Sequence, residues 1–428
     1  MRAHARFRAD PFAAIDALRR RGDIAHTRFG RSEFFLLSHP EEIRHVLATD
    51  AASYALHSFV YWRPFRRPRP APPMRGLINQ HDPNAHRGTR RAYALPFSSA
   101  AMDAVWPDLY ESTARAVERW AAHEQIDAVQ ELRVLVAEQL PRACFGAPLP
   151  IGPEETAEVF YRSYDNPFYM ASRVANAVQS ARLPTRVRQA RAYLRLVEAT
   201  QALIDERRAG GGGGHDFLST MLELVDRGEI SEEQARYEAL GMLYAGMDVT
   251  MFQLMWMVYE LARRPGWVER IRAEAEALTP ERPPSRDESR FTQAFIHESL
   301  RLHAILTITR QAIAPTAVAG HRIRPGDYVW ISPYFVHRDE RWYRNAEAFR
   351  PERWLDGSLK GNSPFVFIPF SRGPHMCANT EFPARVFSVV LPLLCRSLRP
   401  ALPVGFDVTL DPLFRRTQLT ELPLLTRS

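Results

Sequence analysis

Apolar residues in this chain recur mostly at helical spacing, with alternating segments near the start and after residue 306. Pro11 to Arg20 is amphipathic and predicts a helix. DIAHTRFG and EFFLLSH alternate around Gly30 and predict a pair of strands. PEEIRHVLATD places proline at the first helical position and predicts the next helix. Residues 54–85 contain YWRPFRRPRPAPP, too proline-rich for a continuous helix or a central strand, and predict a long ordered loop. Its aromatics Phe59, Tyr61, Trp62 and Phe65 either pin the loop to the body or form a lid over a ligand. Residues 100–208 read as mostly helical, broken near FGAPLPIGP and RLPT. The five glycines at 210–214 then predict a flexible surface loop. They are not a phosphate loop, because no GK[ST] follows and no strand precedes them.

The longest helix comes next. Ser231 with Gln234 forms a capping-box signature, and helical pattern continues to about Arg264, where Pro265-Gly266 is expected to stop it. That length is about 50 Å at 1.5 Å per residue. The segment from Leu240 to Leu261 is apolar nearly all round, which predicts a buried central helix. Met242, Met247, Met251, Met255 and Met257 then read as core filling. After the short helix FTQAFIHESLRLH the pattern turns to strands in LTITRQAIA, AGHRIRPG and YVWISPYFV. A final loop enters an apolar helix in SPFVFIPFSRGPHMCANTEFPARVFSVVLPLL. The expected architecture is mainly α with a smaller β part, a single domain over residues 1–428.

Composition narrows the class. The chain has 428 residues, 46% hydrophobic and 25% charged, which excludes wholesale disorder and a disulfide-stapled miniprotein. The net charge is +7, yet Lys360 is the only lysine and the arginines are scattered, so no nucleic-acid partner is expected. Cys144, Cys377 and Cys395 lack zinc-like spacing and cannot build a disulfide framework, which suits a reducing, cytoplasmic setting. No apolar run approaches the roughly 20 residues of a membrane helix, and MRAHARFRADPF lacks a signal-peptide core. No membrane association is expected.

The chemistry centres on Cys377. Phe370 lies seven residues ahead of it and Gly373 four ahead, in a loop entering an apolar helix. A cysteine at a helix N-terminus is biased toward thiolate. The aromatic and the glycine let the backbone fold tightly around something flat, as axial thiolate ligation of haem iron requires.

FSRGPHMC resembles the haem-binding loop of the cytochrome P-450 superfamily, the haem-thiolate monooxygenases, of soluble bacterial type. Four further segments match in order. HESLR supplies Glu298 and Arg301 on one helix face, and FRPERW supplies Arg353 to complete that family's buried ion-pair set. AGMDVT, residues 245–250, falls midway along the long helix, as does the family's oxygen-binding segment. HRGTR sets His86 and Arg90 one turn apart, TITRQA offers Arg310, and GPHMC offers His375, all at positions where the family binds haem propionates. The resemblance runs from about residue 25 to the end. It implies the P-450 fold, a long central helix over a haem b, and Cys377 as the iron ligand. It also implies that Ala245 and Gly246 give the helix close passage to the iron. Asp248 would relay protons, with Thr250 the nearest alcohol.

Two departures stand out. The family usually keeps an alcohol directly after the acid of the oxygen segment; here that residue is Val249, and Thr250 lies about 100° further round the helix. The family's glycine two residues after the cysteine is Asn379, which tolerates left-handed geometry, and its small residue six after is Pro383. The leading expectation is a haem-thiolate monooxygenase or oxidase using dioxygen and external electrons on a small, mostly apolar natural product. Its rival is non-hydroxylating chemistry at the same haem, such as oxidative coupling, desaturation, nitration or peroxide-driven turnover. A third reading is a non-catalytic activator of a partner enzyme. No GxGxxG is present, so a separate ferredoxin with its reductase is expected to supply electrons. Arg87, Arg91 and Arg372 either face that acidic partner or are ordinary solvated arginines. Tyr61, Trp62, Tyr244, Met247 and Ile305 to Ile308 are the expected pocket lining; Arg66 and Arg67 either recognise a carboxylate or face solvent.

Overall fold

The computed structural model describes residues 10–29, 32–56, 83–164, 184–210, 214–406, 408 and 421–427. The proline-rich aromatic segment with Phe59, Tyr61, Trp62, Phe65, Arg66 and Arg67, and the centre of the glycine run, lie outside the described residues. In chain order the first elements are α1 (Pro11–Arg19), β1 (Ile24–Phe29), β2 (Ser32–Leu37), α2 (Pro40–Arg44) and β3 (Tyr54–Leu56). The helical stretch follows: α3 (Pro83–Ala94), α4 (Ser99–Ala104), α5 (Trp106–Ala121), the short β4 (Gln125–Asp127), α6 (Ala128–Phe145), α7 (Gly152–Tyr164) and α8 (Pro184–Ala209). Next are α9 (Phe217–Asp226), the long α10 (Glu232–Ala262), α11 (Pro265–Ala275) and α12 (Arg290–Leu302). The chain closes with β5 (Ile308–Ala312), β6 (Thr316–Val318), β7 (His321–Ile323), β8 (Tyr328–Ile331), α13 (Pro333–Val336), α14 (Glu381–Ser397), β9 (Arg399–Ala401) and β10 (Pro423–Arg427). The protein is mostly helical with a small sheet part, as its sequence predicts.

The described residues fall into two compact units. One is drawn from Met1–Arg69, Leu77–Thr89 and His297–Ala378; the other from Pro70–Gly76, Arg90–Ile296 and Asn379–Ser428.

The first unit is built on a five-stranded sheet of order β1-β2-β8-β5-β3, antiparallel except for the parallel β2–β8 pair. Both faces are covered. Phe35, Leu37, Val329 and Ile331 pack with Ile308, Ala312, Val46, Leu47 and Ile368 on one face. Phe34, Leu36, Tyr328 and Trp330 pack with Ile15 and Leu18 of α1 on the other. That double burial is why EFFLLSH carries four apolar residues in a row.

In the same unit a buried charge network holds the chain that follows α12. Glu298 and Arg301 are fully buried and Arg353 nearly so. Glu298 accepts from Arg301 Nε at 2.9 Å and Nη2 at 2.8 Å, and from Arg353 Nε at 3.0 Å. His337 belongs to the same network: its Nε2 accepts the Ile368 N–H at 3.0 Å, so Nδ1 carries the proton and donates to the Arg301 carbonyl at 3.1 Å. Burial pushes its pKa down to about 3, leaving the ring neutral.

The second unit is a helical body. The long helix forms as read, with Ser231 Oγ accepting the Gln234 N–H at 3.1 Å. At 31 residues it stops at Ala262. Pro265, expected only to terminate it, instead starts α11 as a first-turn proline, where a missing N–H costs nothing. A Cβ on Gly246 would lie 2.8 Å from both Leu140 methyl groups, so this glycine brings α10 close to α6. A three-stranded sheet of order β4-β10-β9 completes the unit; strands of three to five residues are too short to leave a periodic signal in the sequence.

Candidate active site around Cys377

In the first unit, the loop before Cys377 is shaped by its backbone. The Cys377 N–H donates to the Phe370 carbonyl at 2.9 Å, Met376 N–H to Gly373 O at 3.0 Å, and Ser371 N–H to Ile368 O at 3.1 Å. Ser371 and Gly373 both take positive φ, 62° and 74°. Gly373 is irreplaceable here, since a Cβ would lie 1.8 Å from the Leu47 carbonyl oxygen, in the π-helical turn His45–Thr49. The folded loop leaves the Cys377 thiol exposed, whereas Cys144 and Cys395 are buried.

The sequence places Cys377 at the start of a helix, and the structure corrects this. Helix α14 begins at Glu381, and residues 377–380 are not helical. A helix dipole acts mainly within its first turn, so its pull on this sulfur is weaker than expected. Asn379 does not take positive φ, so its tolerance of left-handed backbone is not used. Pro383 lies in the first turn of α14, where its missing N–H is tolerated.

Arg310 is the most informative residue near the loop. It shares one face of β5 with Ile308 and Ala312, and the period-two pattern carries it into the apolar side of the sheet. It is 3% exposed. Its guanidinium donates to Ser371 Oγ and to the Thr309 carbonyl, each at 3.1 Å, and its Nε is buried without a partner. Among the described residues no carboxylate pairs with it, and burial alone pushes its pKa down to about 10. A buried cation without an anion is costly unless an anionic group completes the site. A propionate is such a group. His375, half-buried in the same loop, meets the buried His86 of α3, with Nδ1 and Nε2 3.2 Å apart. Arg87 is exposed, and Arg372 is half-buried with its Nε 3.4 Å from the Phe367 carbonyl.

In the second unit, Arg90 is half-buried on α3, and Tyr93 one turn on donates to the buried carboxylate of Glu238 on α10. Further along α10, Ala245 is exposed and Val249, four residues on, is 44% exposed, within a helix otherwise largely buried. Met242, half-buried, extends the same open apolar stripe at i, i+3, i+7. Met242 is thus not pure core filling, and its spacing of three and seven residues to Ala245 and Val249 is the sequence signal that marks it. Met247, Met251, Met255 and Met257 are core, as read. Thr250 is 3% exposed and Asp248 8%, so neither shares the open stripe with Val249. Tyr244 packs into the helical body: its hydroxyl meets Ser163 Oγ at 2.5 Å and its ring packs on Phe160, while Met247 is fully buried. Ile305 and Leu306 are also partly committed to the two cores of the sheet.

Within the first unit, an exposed cysteine on a tight loop and a buried arginine with no anion among the described residues fit a haem thiolate and a propionate. A family model described as Cytochrome P450 matches residues 4–397. Cyclooctatin synthase of Streptomyces melanosporofaciens is 28% identical over 87% of this chain and 82% of that protein. Cyclooctat-9-en-7-ol 5-monooxygenase of the same organism is 24% identical over 86% and 80%. In fold, the chain is similar to a retinoic acid-bound cyanobacterial CYP120A1, with a TM-score of 0.83 at 18% identity, covering 98% of this chain and 95% of that one. Among the described residues no helix is long and apolar enough to cross a membrane.

Proposed function

The chain belongs to the cytochrome P450 family and is a P450 monooxygenase; from that premise we propose that it binds haem b through Cys377 and oxidises a small, mostly apolar natural product. The observation that carries the assignment is Arg310, a buried cation bonded to Ser371 six residues before Cys377 and without an anion among the described residues. Arg310, His375, His86 and Arg90 would hold the propionates. Gly373 lets the loop fold back on Leu47 so that the Cys377 sulfur stays presented. When bound, the haem supplies dioxygen activation, with the thiolate donating electron density to favour O–O cleavage. The substrate class rests on the apolar stripe of Met242, Ala245 and Val249 and on the relatives named for cyclooctatin and cyclooctat-9-en-7-ol. Electrons would come from a separate ferredoxin and reductase. Three thiols outside any disulfide suit a cytoplasmic setting. Both compact units are discontinuous in sequence, which supports reading residues 1–428 as one haem-thiolate domain.

Proton delivery is where this chain differs from its family's pattern. Val249 offers no hydrogen bond on the open stripe, and Thr250 is turned into the packed side. The carboxyl of Asp248 would move the proton, and a substrate hydroxyl or ordered water would replace the missing alcohol. Gly246 serves helix packing, and Ala245 keeps the stripe shallow. With a turnover substrate and its deoxy analogue, wild type should couple electrons to product on the first and release hydrogen peroxide on the second. Val249→Thr should raise coupling of the analogue by about 5-fold or more, the factor of one hydrogen bond, and leave the native substrate little changed. An equal rise for both substrates contradicts substrate assistance.

The same exposed valine favours a second reading, non-hydroxylating chemistry. Labelled dioxygen separates the two: label in the product means insertion from dioxygen, and its absence means coupling, desaturation or peroxide-driven turnover. The exposed, retained Cys377 argues against a non-catalytic activator.

A further inference from the structure

Two residues beyond Cys377 stands Asn379, where the family pattern has glycine. Its backbone has no positive φ, so no conformational demand calls for glycine here. Its side chain is used at both ends. Oδ1 accepts the Phe382 N–H at 3.0 Å, capping α14, whose own N-cap residue Thr380 makes no side-chain cap bond. Nδ2 donates to Cys144 Sγ at 3.7 Å, in the last turn of α6. Cys144 is fully buried, and burial pushes its pKa far up, so it stays a neutral thiol and a fixed acceptor. The cysteine side of the segment is tied by the Cys377 N–H to the Phe370 carbonyl. Only Ala378 separates Cys377 from Asn379.

We propose that Asn379 is a positioning residue for the iron-ligating sulfur, fixing the backbone that leaves Cys377 by capping α14 and anchoring it to Cys144. Residues 377–380 do not run as helix, and the regular helical ladder begins only with α14, so the Asn379 side chain acts where the chain passes from loop to helix. A glycine would lose both bonds and gain only backbone freedom. The inference rests on the reading that Cys377 ligates haem.

The test uses the full-length haem-loaded protein as wild type, Asn379→Gly, Asn379→Asp, Cys144→Ala and the Asn379→Gly/Cys144→Ala double variant. The readouts are the rate at which the red-shifted carbon monoxide band is lost under mild warming, the reduction potential, and amide exchange at Phe382. Asn379→Gly should lose the band about 5-fold faster, the factor of one helix cap, shift the potential, and exchange Phe382 faster by a similar factor. Asn379→Asp keeps the cap acceptor, so it should restore Phe382 protection while losing the contact to sulfur. Cys144→Ala should speed band loss alone but add nothing to Asn379→Gly. If wild type shows the band and Asn379→Gly loses it no faster, with only its melting temperature lowered, the residue is merely structural and the proposal is overturned. Additive effects of the two substitutions also overturn it. Should Asn379→Gly fail to fold, Asn379→Asp and Cys144→Ala decide alone. A wild type with no such band sinks the haem reading itself.

Discussion

Replacing Glu298 by alanine should cost the fold about 3–5 kcal/mol and leave mostly aggregated or haem-free protein. The carboxylate accepts five hydrogen bonds, from Arg301 Nε and Nη2, Arg353 Nε, Trp354 Nε1 and the Arg350 N–H, all between 2.8 and 3.0 Å. Both arginines are buried, and they also hold the carbonyls of His337, Ala346, Ala348, Arg344 and Asn345. Removing the anion strands two guanidinium charges away from water while their remaining bonds stay in place. The fixed chain from 337 to 353 then loses its common anchor. Urea unfolding followed by far-ultraviolet dichroism, with haem content measured in parallel, checks this. A variant within about 1 kcal/mol of wild type would mean the set behaves like a surface pair.

Arg310→Met should act in opposite directions on the empty and the loaded protein. In the empty protein burial pushes the folded pKa down to about 10, well below its unfolded value. The unfolded chain therefore holds the proton more tightly, and the folded state is penalised in full below pH 10. That penalty fades as pH rises above about 10 toward the unfolded value. Each pKa unit is about 1.4 kcal/mol, so removing the charge should stabilise the empty protein by about 0.5–2.5 kcal/mol once two lost hydrogen bonds are allowed for. In the loaded protein the same change removes a charge-assisted bond to a propionate, weakening haem retention about 10- to 100-fold. Unfolding of the empty protein and haem transfer to an excess acceptor protein measure the two arms. An empty variant that is less stable, with haem retention unchanged, would show that Arg310 serves the sheet alone.

Local signals made much of this legible. The Ser231–Gln234 cap, the all-round apolar run of α10 and the Glu298–Arg301 spacing each follow from neighbours three or four residues apart. Pro265 shows the limit of such reasoning, because a proline that ends one helix and one that begins the next look alike until the geometry is known. The strands β4, β9 and β10 escaped because three to five residues carry too little pattern. At the site, the resemblance pointed to Cys377 and Arg310, but the lack of a carboxylate partner for Arg310 among the described residues depends on every side chain around it. Because α10 is apolar on nearly all faces, no hydrophobic stripe in the sequence says which side stays open. Only burial separated Ala245 and Val249 from Met247 and Thr250. Asn379 was read for its backbone tolerance, yet its use lies in its side chain and in Cys144, 235 residues earlier.

The central claim, that Cys377 presents a thiolate to haem iron, meets its most direct test in the carbon monoxide difference spectrum of the reduced protein. Wild type, purified from cells supplied with a haem precursor, should show the strongly red-shifted band of thiolate-ligated haem. Cys377→Ala, verified as folded by circular dichroism, should lack it. A wild type without that band, or an alanine variant that keeps it, contradicts the account.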